Sequence, residues 1–91
     1  MEPYEVLGWL TDHGGFIESS HVHSTYEGRR QKPNGSAIDV KLIIYQTRLN
    51  GSPGPRYYAR AMSSDGKLAV SNRERSIRGA VAGVQWGNLD K

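Results

Sequence analysis

The stretch Ile38-Asp-Val-Lys-Leu-Ile-Ile-Tyr-Gln-Thr-Arg-Leu49 decides how this chain folds. Ile38, Val40, Leu42 and Ile44 fall on one side of a strand, with Asp39, Lys41, Ile43 and Tyr45 on the other. Period-two alternation of this kind marks a strand whose apolar side faces a core. Downstream, Asn50-Gly-Ser-Pro-Gly-Pro55 is turn chemistry, and Arg56–Met62 is a second strand. Its Tyr57, Ala59 and Ala61 join the core side, so Arg56, Tyr58 and Arg60 face solvent. Asp65-Gly66 then predicts a tight hairpin into Lys67–Ser71, with Leu68 and Val70 completing the inner face.

The flanks supply helices. Ser71-Asn-Arg-Glu74 matches a capping box, which predicts a helix from Ser71 to about Trp86, ended by Gly87-Asn88. Ile77, Ala80, Val81 and Val84 form its apolar side, and Arg75, Arg78, Gly79, Ala82 and Trp86 the opposite one. Ile77, Val81 and Val84 are expected to pack on Val40, Leu42, Ile44, Tyr57 and Leu68. At the other end, Glu2–His13 reads as a short helix with Pro3 in its first turn, Val6, Leu7 and Leu10 on one face, and Gly14-Gly15 as its stop. It is expected to cover a sheet edge. Phe16–Tyr26 alternates only loosely and reads as an edge strand or an ordered loop, with the strand favoured. Residues 27–37, with Gly-Arg-Arg-Gln-Lys-Pro-Asn-Gly, read as a mobile basic loop. The expected fold is α+β in a single domain over residues 1–91: a three- or four-stranded antiparallel sheet, a C-terminal helix on one face and a short N-terminal helix.

The chain has 91 residues and no cysteine, so its core holds by packing and no thiolate chemistry is available. No apolar run approaches the roughly 20 residues that span a bilayer. The acidic start Met-Glu-Pro-Tyr-Glu is unlike a secretory signal, and the expectation is a cytoplasmic protein. Asn34-Gly35-Ser36 and Asn50-Gly51-Ser52 read as Asn-Gly turns. The net charge of +3 conceals an asymmetry. Residues 1–28 carry five acids and no Lys or Arg, whereas the remainder carries 12 basic and 4 acidic residues, −5 against +8. Such a basic part attracts nucleic acid or an acidic protein surface.

Gly54-Pro55 leading into Arg56-Tyr57-Tyr58, and Arg75 and Arg78 followed by Ala80 and Ala82, resemble the double-stranded-RNA-binding domain. That family has a helix, three antiparallel strands and a helix. The resemblance implies contact with RNA through the Gly-Pro segment and a basic cluster opening the last helix. The chain departs from the family where Glu74 replaces a favoured Lys, where no His follows Gly-Pro, and where residues 14–37 form a long insertion. The strand-strand-strand-helix order also resembles antitoxin-like and small phage-encoded proteins.

The candidate binding residues are therefore Arg29, Arg30, Lys32, Arg56, Tyr58, Arg60, Arg75, Arg78 and Trp86. Arg56, Tyr58 and Arg60, with Lys41 and Tyr45 on the neighbouring strand, form a basic and aromatic platform suited to single-stranded nucleic acid; the competing reading is a solvated sheet face. Trp86 beside Arg75 and Arg78 is either a hot spot for a protein partner, such as the host protein of a phage-type modulator, or a ring folded back onto Gly79 or the N-terminal helix. An exposed edge strand offers a route to a homodimer. Enzyme readings find less support. His21 and His23 share one side of a strand, but with His13 they are the only histidines and no metal-binding frame holds them. Asp12-His13 with Ser19, Ser20 or Ser24 lacks a nucleophile elbow, and no phosphate-binding glycine loop is present. The expectation is a non-enzymatic binding protein without a cofactor.

Overall fold

The computed structural model describes residues 2–51 and 53–91. In chain order it contains α1 (Pro3–Gly14), β1 (Glu18–Gln31), β2 (Ala37–Leu49), β3 (Arg56–Ser63), β4 (Leu68–Val70), α2 (Ile77–Ala82) and a 3-10 helix (Trp86–Asp90). The four strands form one antiparallel sheet in the order β1-β2-β3-β4. The fold is α+β, and the helix–antiparallel sheet–helix order is compatible with the resemblance, with a fourth strand added. Among the described residues no helix is long and apolar enough to cross a membrane.

Strand alternation on β2 divides the molecule. Val40 and Ile44 are buried on the inner side with Ala59 and Ala61 of β3 and Ala69 of β4, beneath Ala80, Val84 and Leu89 from the C-terminal segment. Ile38, Leu42, Tyr57, Ile77, Val81 and Trp86 are half-buried around them. Three alanines at the sheet positions let the short C-terminal elements approach closely. At the far end of the inner side, Leu7 of α1 is buried and Ser19 Oγ donates to its carbonyl at 3.3 Å. Arg48 lies over the Tyr4 ring at 5.1 Å. The helix thus covers a face of β1 and β2 rather than an edge. Its stop is as expected: Gly15 at φ 72° donates its backbone N–H to Leu10 O.

Three further sequence expectations are corrected. The first is the basic loop over residues 27–37. Residues 27–31 continue β1, Glu27 opposite Lys41 and Arg29 opposite Asp39, and the turn is confined to Lys32–Ser36. Complementary charges across the pair support a strand that has little apolar alternation of its own. Gly35, at φ 88°, supplies the turn's positive dihedral.

The second concerns β4, where Leu68 and Val70 are exposed and Ala69 is the inward residue. A two-residue loop at Asp65-Gly66 would set Ser63 opposite Leu68. Instead Ser63 N donates to Lys67 O, the loop holds Ser64, Asp65 and Gly66, and Met62 faces Leu68. One extra loop residue reverses the facing of every residue in the strand.

The third concerns the C-terminal helix. The Ser71–Glu74 capping box does not form. Ser71 Oγ accepts from Ala59 N at 2.9 Å, and Glu74 exchanges two backbone hydrogen bonds of 2.7 Å with Tyr57, extending the edge beside β3. Ser76 caps the shorter α2 by accepting from Gly79 N. Trp86 and Gly87-Asn88, expected to end that helix, belong to the 3-10 helix. Edge pairing satisfied backbone groups that a helix start would otherwise have required. The turn expected at Asn50–Pro55 includes Ser52, which lies outside the described residues.

Candidate nucleic-acid interface

The outer side of the sheet carries the second set of β2 and β3 residues. By alternation Lys41, Ile43 and Tyr45 share this side with Arg56, Tyr58, Arg60 and Met62, and with Leu68 and Val70 of β4. The helices lie on the other side, and Leu68 and Val70 stay exposed. Tyr45 stands directly opposite Tyr58, and their rings stack 4.7 Å apart at 12°. Arg60 pairs across to Ile43 on one side and Val70 on the other. Among the described residues, Lys41, Arg56 and Arg60 form no ion pair. This part of the surface therefore combines cations, aromatic rings and apolar area, placed on one side by strand alternation.

Arg73, which the sequence reading placed at a helix start, joins this side instead. Its guanidinium lies 5.4 Å from the Tyr58 ring centroid and pairs with Glu18. The contact becomes visible only once residues 71–74 are known to run along β3. Thr47, on the same side of β2, is fully buried, and among the described residues its hydroxyl has no hydrogen-bond partner.

The other candidates are dispersed. Arg29 faces Asp39 at 3.7 Å, fully on the surface. Lys32 lies 3.7 Å from Asp65 in the β3–β4 turn. Arg30 grips both carboxylate oxygens of Asp90 and sits 6.0 Å over the Trp86 ring, so it fastens the 3-10 helix to β1. The Arg30 hydrogen bond holds the Asp90 carboxyl below its ordinary pKa and raises the guanidinium's own. Ser63 Oγ does the same for Asp65, whose pKa is also lowered. Trp86 is half-buried and its indole N–H donates to Val81 O at 3.3 Å. Arg75 and Arg78 are exposed, Arg78 on α2 and Arg75 just before its cap. The nine candidates thus separate into an outer-face group (Arg56, Tyr58, Arg60), an acid-paired group on the β1–β2 hairpin, and the C-terminal segment.

His21 Nε2 lies 2.6 Å from Gln46 Oε1, and the Gln46 amide donates to the Tyr57 hydroxyl at 3.4 Å. His23 packs edge-on against Tyr57. These contacts tie three strands together on the inner side. Among the described residues no three His, Asp or Glu side chains gather as metal ligands. Comparison with protein families, with curated proteins and with solved structures gives no match to this chain.

Proposed function

We propose that this protein is a binding module that holds single-stranded nucleic acid on the outer face of its sheet. One observation carries the reading: the stacked Tyr45–Tyr58 pair lies beside Arg56 and Arg60, neither of which forms an ion pair among the described residues, with Lys41 further along the strand opposite Glu27. A base has a π-face that stacks on an aromatic ring whatever its identity, and cations at neighbouring positions follow the phosphates. Ile43, Met62 and Val70 beside them add apolar area for the sugar and base edges. In this reading affinity comes from phosphate neutralisation and stacking, and sequence preference is weak.

The family resemblance implies a different geometry, in which duplex RNA is gripped from the helix side through Arg75 and Arg78. The acids Glu2, Glu5 and Asp12 of the helix-bearing N-terminal segment work against phosphate there. A protein partner held by Trp86 has less support, because the indole N–H is already donated to Val81 O and the ring lies under the arginine that fastens the 3-10 helix to β1.

Fluorescence anisotropy with labelled single-stranded RNA and DNA, and with duplexes, tests the proposal at about 50 and 200 mM salt. Binding of single strands that falls steeply with salt and depends on Tyr58 and Arg60 supports it. Binding of duplex alone, lost with Arg75→Ala/Arg78→Ala and indifferent to Tyr58→Ala, moves the site to the helix side.

A further inference from the structure

The free edge of the sheet beside β1 is 14 residues long and contains neither lysine nor proline, two residues that commonly blunt such edges. A register shift between Val22 and Ser24 divides it, and from Ser24 to Gln31 the strand pairs regularly with β2. Lys32 N donates to Ser36 O. Alternation from that bond turns the N–H and C=O groups of Thr25, Glu27, Arg29 and Gln31 away from β2, along the open edge.

The side chains of this segment complement a second copy of themselves. Glu27 and Arg29 flank Gly28 on the outer side, already opposite Lys41 and Asp39 of β2. An antiparallel copy with its two-fold axis at Gly28 sets each Glu27 against the other Arg29. Charges then alternate across all four strands in the two rows that hold Glu27 and Arg29. On the inner side Tyr26, 55% exposed, meets the second copy's Arg30. Beside it a groove of about 600 Å³ is lined by Tyr26, Gly28, Leu42 and Trp86.

We propose that two copies of this chain pair antiparallel along Thr25–Gln31 with their Gly28 residues opposed, forming one continuous sheet. The two outer faces then lie on the same side of the assembly. This inference rests on β1 alone and stands whether or not the outer face binds nucleic acid.

Light scattering on the eluting protein, together with single-cysteine cross-linking, tests it. The chain has no cysteine of its own, and a Cβ at Gly28 meets nothing within 4 Å, so Gly28→Cys is sterically tolerated. In the dimer the opposed positions form a non-hydrogen-bonded pair with Cα atoms about 4.5 Å apart, within disulfide reach. Tyr26→Cys would place its sulfurs about 13 Å apart. The expected results are a mass near twice 10.1 kDa and oxidative cross-linking of Gly28→Cys at least about tenfold faster than of Tyr26→Cys. Glu27→Arg, which opposes arginine to arginine, should weaken the dimer by about tenfold. A mass of 10.1 kDa at several hundred micromolar, equal cross-linking of the two cysteine variants, or a dimer indifferent to Glu27→Arg would overturn it.

Discussion

Successive residues of β3 occupy opposite environments. Ala59 and Ala61 have no exposed surface and lie beneath the C-terminal elements, while Tyr58 and Arg60, alternating with them, face a side that carries no helix among the described residues. The small inner residues set how closely α2 and the 3-10 helix approach, so that side answers for stability. The outer residues are free of that constraint. They can hold aromatic rings and unpaired cations at modest cost to the fold, because the same backbone hydrogen bonds support both sides. One strand thus separates holding the molecule together from meeting a ligand.

The contrast is strongest for a charge moved across the strand. Ala61→Arg places an unpaired guanidinium in the closed side and should cost more than about 4 kcal/mol, read as loss of the cooperative melt. Arg56→Ala/Arg60→Ala, on the open side, should leave the melt within about 0.5 kcal/mol of the parent. The same double variant should weaken oligonucleotide binding about tenfold or more and lower the salt slope by about 1 to 2. A double variant that melts early but binds unchanged would reverse the assignment of the two sides. Thr47 is an exception on the outer side, buried with a hydroxyl that has no partner among the described residues. Thr47→Val should therefore stabilise the protein by about 1 kcal/mol in urea unfolding, and a loss of similar size would show that the hydroxyl has a role.

The smallest effect concerns pH. The Asp90 carboxyl is held below its ordinary pKa by Arg30, so its contribution is present above the usual carboxylate range and is lost as pH falls through the lowered value. Asp65 behaves in the same direction through Ser63. Asp90→Asn should lower the melting temperature slightly at neutral pH and flatten its fall between neutral and acid pH. An unchanged acid slope would mean that the pair does not fasten the 3-10 helix.

Much of this division was legible in the chain. The alternation of Ile38–Leu49 and Arg56–Met62 assigned both sides of the central strands correctly, because burial imposes a period of two wherever one side is covered. Legibility failed where backbone partners, rather than side-chain pattern, made the decision. Residues 27–31 are strand because β2 offers charged and hydrogen-bonding partners, and Gly28-Arg29-Arg30 carries no apolar signal of that. The β4 register turned on a single loop residue between Ser63 and Lys67. Ser71 and Glu74 spelled a helix cap, yet the open edge at Tyr57 and Ala59 took their hydrogen bonds. That edge pairing also explains why Arg73 was missed as a companion of Tyr58. The split of the basic residues could not be read either, since each acid partner of Arg29, Arg30 and Lys32 lies on another element.

The most direct measurement is an NMR titration of the protein with an unstructured oligonucleotide at low salt, following side-chain signals. The account predicts that the Tyr45 and Tyr58 rings and the Ile43 and Val70 methyls shift together and saturate, while the Val84 and Leu89 methyls on the closed side stay in place. Shifts confined to the C-terminal segment, or no saturable shifts at the two tyrosines, would contradict it.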